Sequence, residues 1–190
     1  AEDSKPIIIA DSGDNPTAGA SEDLTNVLAE LLKRSTKNVL VAVIADKDSY
    51  ARCLEAGRGS YVDLELGRVN PTEEKPESLS VCAYVERIGL GKGIPAAVLK
   101  IDDIRVIVTA ERTDVYDPKF LADLELNPLD FKVIIVKSGY LSPEYQALTR
   151  RPMLALTPGD TNLLLEELPY RQVRRPIFPL DKDFIWSAEL

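Results

Sequence analysis

The residues best equipped for chemistry lie together in Ala10-Asp11-Ser12-Gly13-Asp14-Asn15-Pro16-Thr17-Ala18-Gly19-Ala20. Two carboxylates, one amide and two hydroxyls follow an apolar run, Ile7-Ile8-Ile9, and precede an amphipathic segment that opens at Ser21. The β-branched run reads as a strand and the Gly/Asn/Pro/Asp cluster as a loop. Ser21 reads as an N-cap, with Glu22 and Asp23 complementing the positive end of the helix dipole. Such a loop brings unpaired backbone N–H groups, carboxylates and an amide to the mouth of a helix, a recurrent place for anions. The same residue types also build turns that only connect elements. Neither G-x-G-x-x-G nor G-x-x-x-x-G-K-S/T is present, which argues against a dinucleotide fold or a P-loop. The second candidate pair is Lys137-Ser138, at the end of another apolar run. Lys137 would supply the positive charge that the Asp-rich loop lacks, either for an anionic substrate group or as the ion-pair partner of Asp11 or Asp14. Spacing alone names no nucleophile–base pair.

Several chemistries are excluded. The chain has no histidine, so it cannot assemble Ser-His-Asp or Cys-His catalysis by itself, and the commonest zinc ligand is missing. A metal held by this chain alone would need oxygen ligands only, which suits Mg²⁺ or Ca²⁺. Cys53 and Cys82 have no metal-ligand neighbours at useful spacing and read as two buried thiols, in keeping with a reducing, cytoplasmic compartment. A formal net charge of −8 argues against nucleic acid or an anionic membrane as partner. No apolar run approaches the roughly 20 residues that span a bilayer, and no signal peptide is recognisable. The chain opens at Ala1 and its only methionine is Met153. That suggests a piece of a longer polypeptide, although removal of an initiator Met before a small residue would look the same.

The elements that position these residues follow from hydrophobic period. Leu24, Val27, Leu28, Leu31 and Leu32 recur at i, i+3, i+4, i+7, i+8, the stripe of a core-facing helix. Residues 39–45 form a continuous apolar run, a strand buried on both faces as in parallel sheets. Asp48 or Ser49 is expected to cap a short helix through Ala56, closed by Gly57. Residues 60–66 and 79–88 then alternate with period two. Leu79, Val81, Ala83 and Val85 form one face and Ser80, Cys82, Tyr84 and Glu86 the other, as in antiparallel strands. Residues 70–78 read as a loop. Residues 89–93 read as a wide turn, with a glycine-rich lid as the alternative. A hairpin is expected through Asp102-Asp103, and Asp117-Pro118 and Ser142-Pro143 open short helices. Residues 131–136 read as a second buried strand, 153–156 as a last short one, and the Pro-rich chain from Thr157 as extended. The expected fold is α/β: a mixed, mostly parallel sheet flanked by helices, with an antiparallel β insertion and an extended C-terminal tail. It forms one domain over residues 1–190, with its core at about 6–156 and its tail at about 157–190. If the apolar strands are parallel, Asp11–Asn15, Asp46/Asp48 and Lys137/Ser138 share the edge where open α/β sheets bind ligands.

Four ordered segments carry a family resemblance: residues 9–16 with Gly19; Val136-Lys137-Ser138; Thr157-Pro158-Gly159; and Leu168-Pro169-Tyr170-Arg171 with Arg174-Arg175-Pro176-Ile177 and Pro179-Leu180-Asp181. They resemble the C-terminal domain of the microcystin-degradation protein family, the MlrC-like metallopeptidases, from about Pro6 to Asp181. The resemblance implies that an N-terminal domain, absent from this chain, holds a zinc centre ligated by histidine and carboxylate and cleaves peptide or amide bonds. It implies no complete catalytic set and no cofactor in this chain alone. Asp11, Ser12, Asp14, Asn15, Thr17, Gly19, Lys137 and Ser138 then become substrate-pocket candidates facing that zinc site. The implied partners are the N-terminal metallopeptidase domain and a peptide or amide small-molecule substrate, with a homo-oligomer left open. One departure stands out: Leu141 occupies the place where many members carry His, and Ser142-Pro143-Glu144 replaces a stretch containing Arg, which points away from microcystin as substrate. Two rival readings remain. One is a docking or oligomerisation module using the tail from Tyr170 to Trp186, which exposed Phe178, Phe184 and Trp186 would favour. The other is a stand-alone anion or small-molecule binder using the 11–19 loop.

Overall fold

The computed structural model describes residues 5–69, 77–185 and 187. Most of the expected 70–78 loop, and Trp186, lie outside the described residues. In chain order the elements are β1 (Ile7–Asp11), α1 (Asn26–Lys33), β2 (Val39–Ala45), α2 (Lys47–Ala56), β3 (Tyr61–Val69), β4 (Glu77–Gly91), β5 (Ile94–Ile101) and β6 (Ile104–Thr109). They are followed by α3 (Lys119–Asp123), β7 (Val133–Lys137), α4 (Pro143–Leu148) and β8 (Arg151–Ala155). All strands join one eight-stranded sheet in the order β3-β4-β5-β6-β2-β7-β1-β8. From β6 to β8 neighbouring strands are parallel, and β3 to β6 form an antiparallel meander. The α/β architecture with an antiparallel insertion is therefore the observed one.

The continuous apolar run of β2 sits near the centre of the sheet because both of its faces must be covered. Leu40 and Ala42 pack with Phe120, Leu121, Leu124 and Tyr145 of the α3/α4 side. Val39 and Val41 pack with Leu28 and Cys53 of the α1/α2 side. Alternate strand residues thus feed two cores, one on each face. In β4 the period-two reading holds as far as Val85: Ala83 and Val85 are buried while Ser80 and Cys82 are exposed, and a bulge between Val85 and Arg87 then shifts the register. Cys82 therefore corrects the expectation of two buried thiols; only Cys53 is buried. Residues 89–93 make a tight hairpin in which Lys92 (φ 49°) and Gly93 (φ 82°) both take the left-handed conformation, the pattern of a two-residue type I′ turn. This is the turn reading, and the lid is set aside.

Two helix starts differ from expectation. Segment 20–24 is not helical, and α1 begins at Asn26 after Thr25. Leu24 instead forms a parallel bridge with Arg68 of β3. The tertiary structure overrides the local cap signal at Ser21, whose hydroxyl bonds Asp23 (2.6 Å) and Asp160 (3.1 Å). In α2 the cap is Asp46, accepting the Ser49 N–H at 2.9 Å, so the helix starts earlier than a cap at Asp48 or Ser49 would allow. The Ser142 cap of α4, with Pro143 as first residue, is as expected. Among the described residues no helix is long and apolar enough to cross a membrane.

Phe120 is fully buried between α3 and the sheet. Phe120→Ala is expected to cost about 3–5 kcal/mol in urea unfolding, and a loss below about 1 kcal/mol would show that the α3 side does not pack as described.

Candidate functional site

Parallel register brings the candidate residues to one edge. Asp11 at the end of β1 lies opposite Lys137 at the end of β7 and opposite Ala155 at the end of β8. On the other side of β7, β2 ends at Ala45, opposite Thr109 of β6. The loop after β1, Asp46 after β2 and Lys137 thus share the C-terminal edge of the parallel strands.

At its centre is a buried ion pair. The Lys137 ammonium donates to the Asp14 carboxylate, with side chains only 2% and 1% exposed, and also to the Leu24 carbonyl. Asp14 takes two further donors, the N–H groups of Glu22 and Leu24, each at 2.8 Å. The chain's own carboxylate thus takes the N–H groups that a helix start after Ser21 would offer to an anion. Lys137 resolves to the ion-pair alternative, with Asp14 as its partner.

The rest of the loop is strapped by the start of the tail. Ser12 donates its N–H (3.1 Å) and hydroxyl (2.9 Å) to the Ala155 carbonyl. The Thr157 hydroxyl accepts the Gly13 N–H at 3.0 Å and donates to Asp11. The Thr161 hydroxyl accepts the Asn15 N–H at 2.9 Å and donates to the Ser12 carbonyl at 2.8 Å, while its N–H reaches the Gly13 carbonyl at 3.0 Å. A Cβ on Gly13 would collide with the Thr157 carbonyl, and one on Gly159 with the Gly13 carbonyl. Only glycine permits that approach. The Asn15 side chain accepts from the N–H and hydroxyl of Thr17, capping a single 3-10 turn over Pro16–Ala18.

Burial divides the candidates. Asp11, Ser12, Asp14, Asn15 and Lys137 are buried. Thr17 and Gly19 are exposed, and Ser138 is half-buried, its hydroxyl closing a local turn onto the Tyr140 carbonyl. Around them the outward surface is formed by Arg112, Tyr116 and Tyr140, all exposed. Arg112 donates to the Ala20 carbonyl at 3.0 Å, and the two tyrosine rings meet edge to face at 5.9 Å. None of these three carries a local sequence signal. Leu141, at the departure from the family pattern, is a core residue, and Ser142 serves as the α4 cap.

Glu22 departs from its expected place. Instead of facing a helix dipole it is fully buried, at φ 64°. One carboxyl oxygen accepts the Thr113 N–H at 2.7 Å, and the other has no hydrogen-bond partner among the described residues. Burial pushes its carboxyl up to about 8, against the opposing Thr113 N–H, Lys137 and Arg112 and with the help of Asp14. Asp11 is also raised, by burial first, with Lys137 and the Thr157 hydroxyl opposing.

The donor set does not fit a zinc centre. There is no histidine, Cys53 and Cys82 lie on α2 and β4, and among the described residues no three His, Cys, Asp or Glu side chains converge to hold a metal.

Because the native state holds the Glu22 proton more tightly than the unfolded chain, its contribution to stability is complete at about pH 4.5 and is lost as pH rises to about 8. Urea midpoints of the wild type should therefore fall over that window relative to Glu22→Gln, whose side chain stays neutral. Parallel curves for the two proteins would contradict the buried, protonated carboxyl.

Comparison with known proteins gives the family and the fold. A family model described as "MlrC C-terminus" matches residues 9–172. No curated protein matches. Among solved structures the chain is similar to one from Mesorhizobium sp. BNC1 named "Putative metallopeptidase", with a TM-score of 0.79 at 20% identity, over 97% of this chain. At that identity the likeness is one of fold, and the chain spans 39% of the length of that protein. The family match runs from β1 through the strap at Thr157–Thr161, so the buried ion pair and both close-packed glycines fall inside it, and the chain belongs to the MlrC C-terminus family.

Proposed function

We propose that this chain is the C-terminal domain of a cytoplasmic, zinc-dependent hydrolase of peptide or amide bonds, and that the zinc is held by a preceding domain. The observation that carries this reading is the family match across the whole C-terminal edge. The name of the similar Mesorhizobium protein supports the reaction class. The edge would form one wall of the substrate pocket, with its roles divided by burial. Asp11, Ser12, Asp14, Asn15 and Lys137 hold the wall in shape, since their polar groups are engaged within the domain. Thr17, Gly19 and Ser138, with Arg112, Tyr116 and Tyr140, present groups to the substrate.

This chain's own contribution is positioning and recognition. A guanidinium and two phenol rings on a rigid rim suit a peptide or amide substrate with a carboxylate or carbonyl for Arg112 and a flat or apolar group for the tyrosines. The engagement of the Gly13, Asn15, Glu22 and Leu24 N–H groups speaks against the stand-alone anion binder. The docking-module reading is favoured by Phe178, which is 72% exposed, although Phe184 is only half-exposed.

The test uses the longer polypeptide beside the chain alone. Only the longer protein should hold zinc and cleave an amide. In it, Arg112→Ala and Tyr140→Ala should each raise KM by up to about tenfold, the loss of about 1.4 kcal/mol of binding, while the melting temperature stays unchanged. Zinc bound by the short chain, or kinetics indifferent to both substitutions, would overturn the assignment.

A further inference from the structure

From Arg150 onward no described side chain is buried, although the stretch is rich in apolar residues. Met153 and Leu154 of β8 are 41% and 47% exposed. They are consecutive in a strand and so point to opposite faces of the sheet; β8, at the sheet's edge, is open on both sides. Leu156, Leu165, Tyr170 and Phe178 continue the exposed apolar series along the tail. Beside it, Val27 and Leu31 of α1 and Pro158 line an apolar groove of about 330 Å³. Exposed apolar side chains that recur along one segment beside an apolar groove point to an interaction surface.

The tail is also held ready. Arg175 clasps Asp181 through two guanidinium nitrogens, and the Asp181 carboxylate accepts the Ile177 N–H at 2.8 Å. Between these ends the chain forms a small loop that presents Phe178 outward. A large aromatic on a pre-ordered loop is the usual anchor of a recognition surface, because little entropy remains to be lost on binding.

We infer that β8, the α1 groove and the tail form a docking face for the remainder of a longer polypeptide, with Phe178 as its anchor. The inference rests on the proposed domain arrangement and adds the surface through which it is made. Its occupant follows from three observations. The fold accounts for 39% of the similar solved chain, which leaves most of such a protein to be packed somewhere. A second copy of this chain is disfavoured by the net charge of −8 on each copy. Edge-to-edge pairing of two β8 strands is further weakened by Pro152, which removes a donor from the strand.

The experiment compares Phe178→Asp with Leu54→Asp, an exposed apolar position on α2 (50% exposed) away from the face. In the longer polypeptide, Phe178→Asp should speed proteolytic cleavage of the tail by about tenfold and Leu54→Asp should leave it unchanged. In the short chain neither substitution should alter the cleavage rate. Equal rates for all three longer proteins would overturn the inference. So would a concentration-dependent dimer of the short chain that Phe178→Asp disperses, since the occupant would then be a second copy. Zinc content and amide hydrolysis are read in the same samples: their failure would overturn the proposed chemistry while the cleavage result still decided the docking face.

Discussion

The C-terminal edge depends on a buried positive charge at the end of one strand meeting a buried negative charge in the loop after its neighbour. Removing two such charges from water is costly, and the cost is offset only when the remaining donors and acceptors are satisfied. Here Asp14 takes the Lys137 ammonium and two backbone N–H groups, and Lys137 also donates to a carbonyl. The pair ties β7, the loop after β1 and segment 20–24 into one unit. It forms because β1 and β7 are adjacent, parallel and in register at Asp11 and Lys137. Once segment 20–24 is drawn onto Asp14 it cannot join α1; it lies along β3, with Arg68 gripping Asp23 at 2.7–2.8 Å.

The strap supplies the second constraint. Thr157 and Thr161 lie more than a hundred positions from the loop whose backbone they satisfy, and Gly13 and Gly159 pack backbone to backbone. Two of the segments that carry the family resemblance are thus halves of a single structure. Their residue types are explained by packing and hydrogen bonding before any contact with substrate is invoked. The exposed polar side chains nearest that structure are those of Arg112, Tyr116, Tyr140 and Thr17.

What the sequence made legible was what local period and local caps determine. The run 39–45 reads as a doubly covered strand, the alternation up to Val85 as a one-sided one, and Ser142-Pro143 opens a helix as its chemistry requires. Structure departs from expectation where a distant group outcompetes a local preference. Ser21 is a sound cap by type, but Asp14 captured the N–H groups that a helix start would have offered. Cys82 follows the alternation of its own strand, which places it on the exposed face, and that position outweighs the usual burial of a thiol. Spacing narrows the partner of Lys137 to two aspartates and no further, because register between β1 and β7 depends on a chain crossing that spacing does not encode. Glu22 carries a local signal for a helix start that its burial overrides, and Thr161 and Arg112 carry none, since all three acquire their roles from contacts made across the fold.

The measurement that bears most directly on this account is a double-mutant cycle on Asp14 and Lys137, read by urea unfolding. Lys137→Met alone leaves a buried carboxylate without its counter-ion and should cost about 3–5 kcal/mol. Asp14→Asn combined with Lys137→Met should recover part of that loss, because the neutral amide needs no counter-ion. Strict additivity of the two single changes would contradict the account, for it would mean that the ammonium and the carboxylate do not depend on each other and that the edge is held by other contacts.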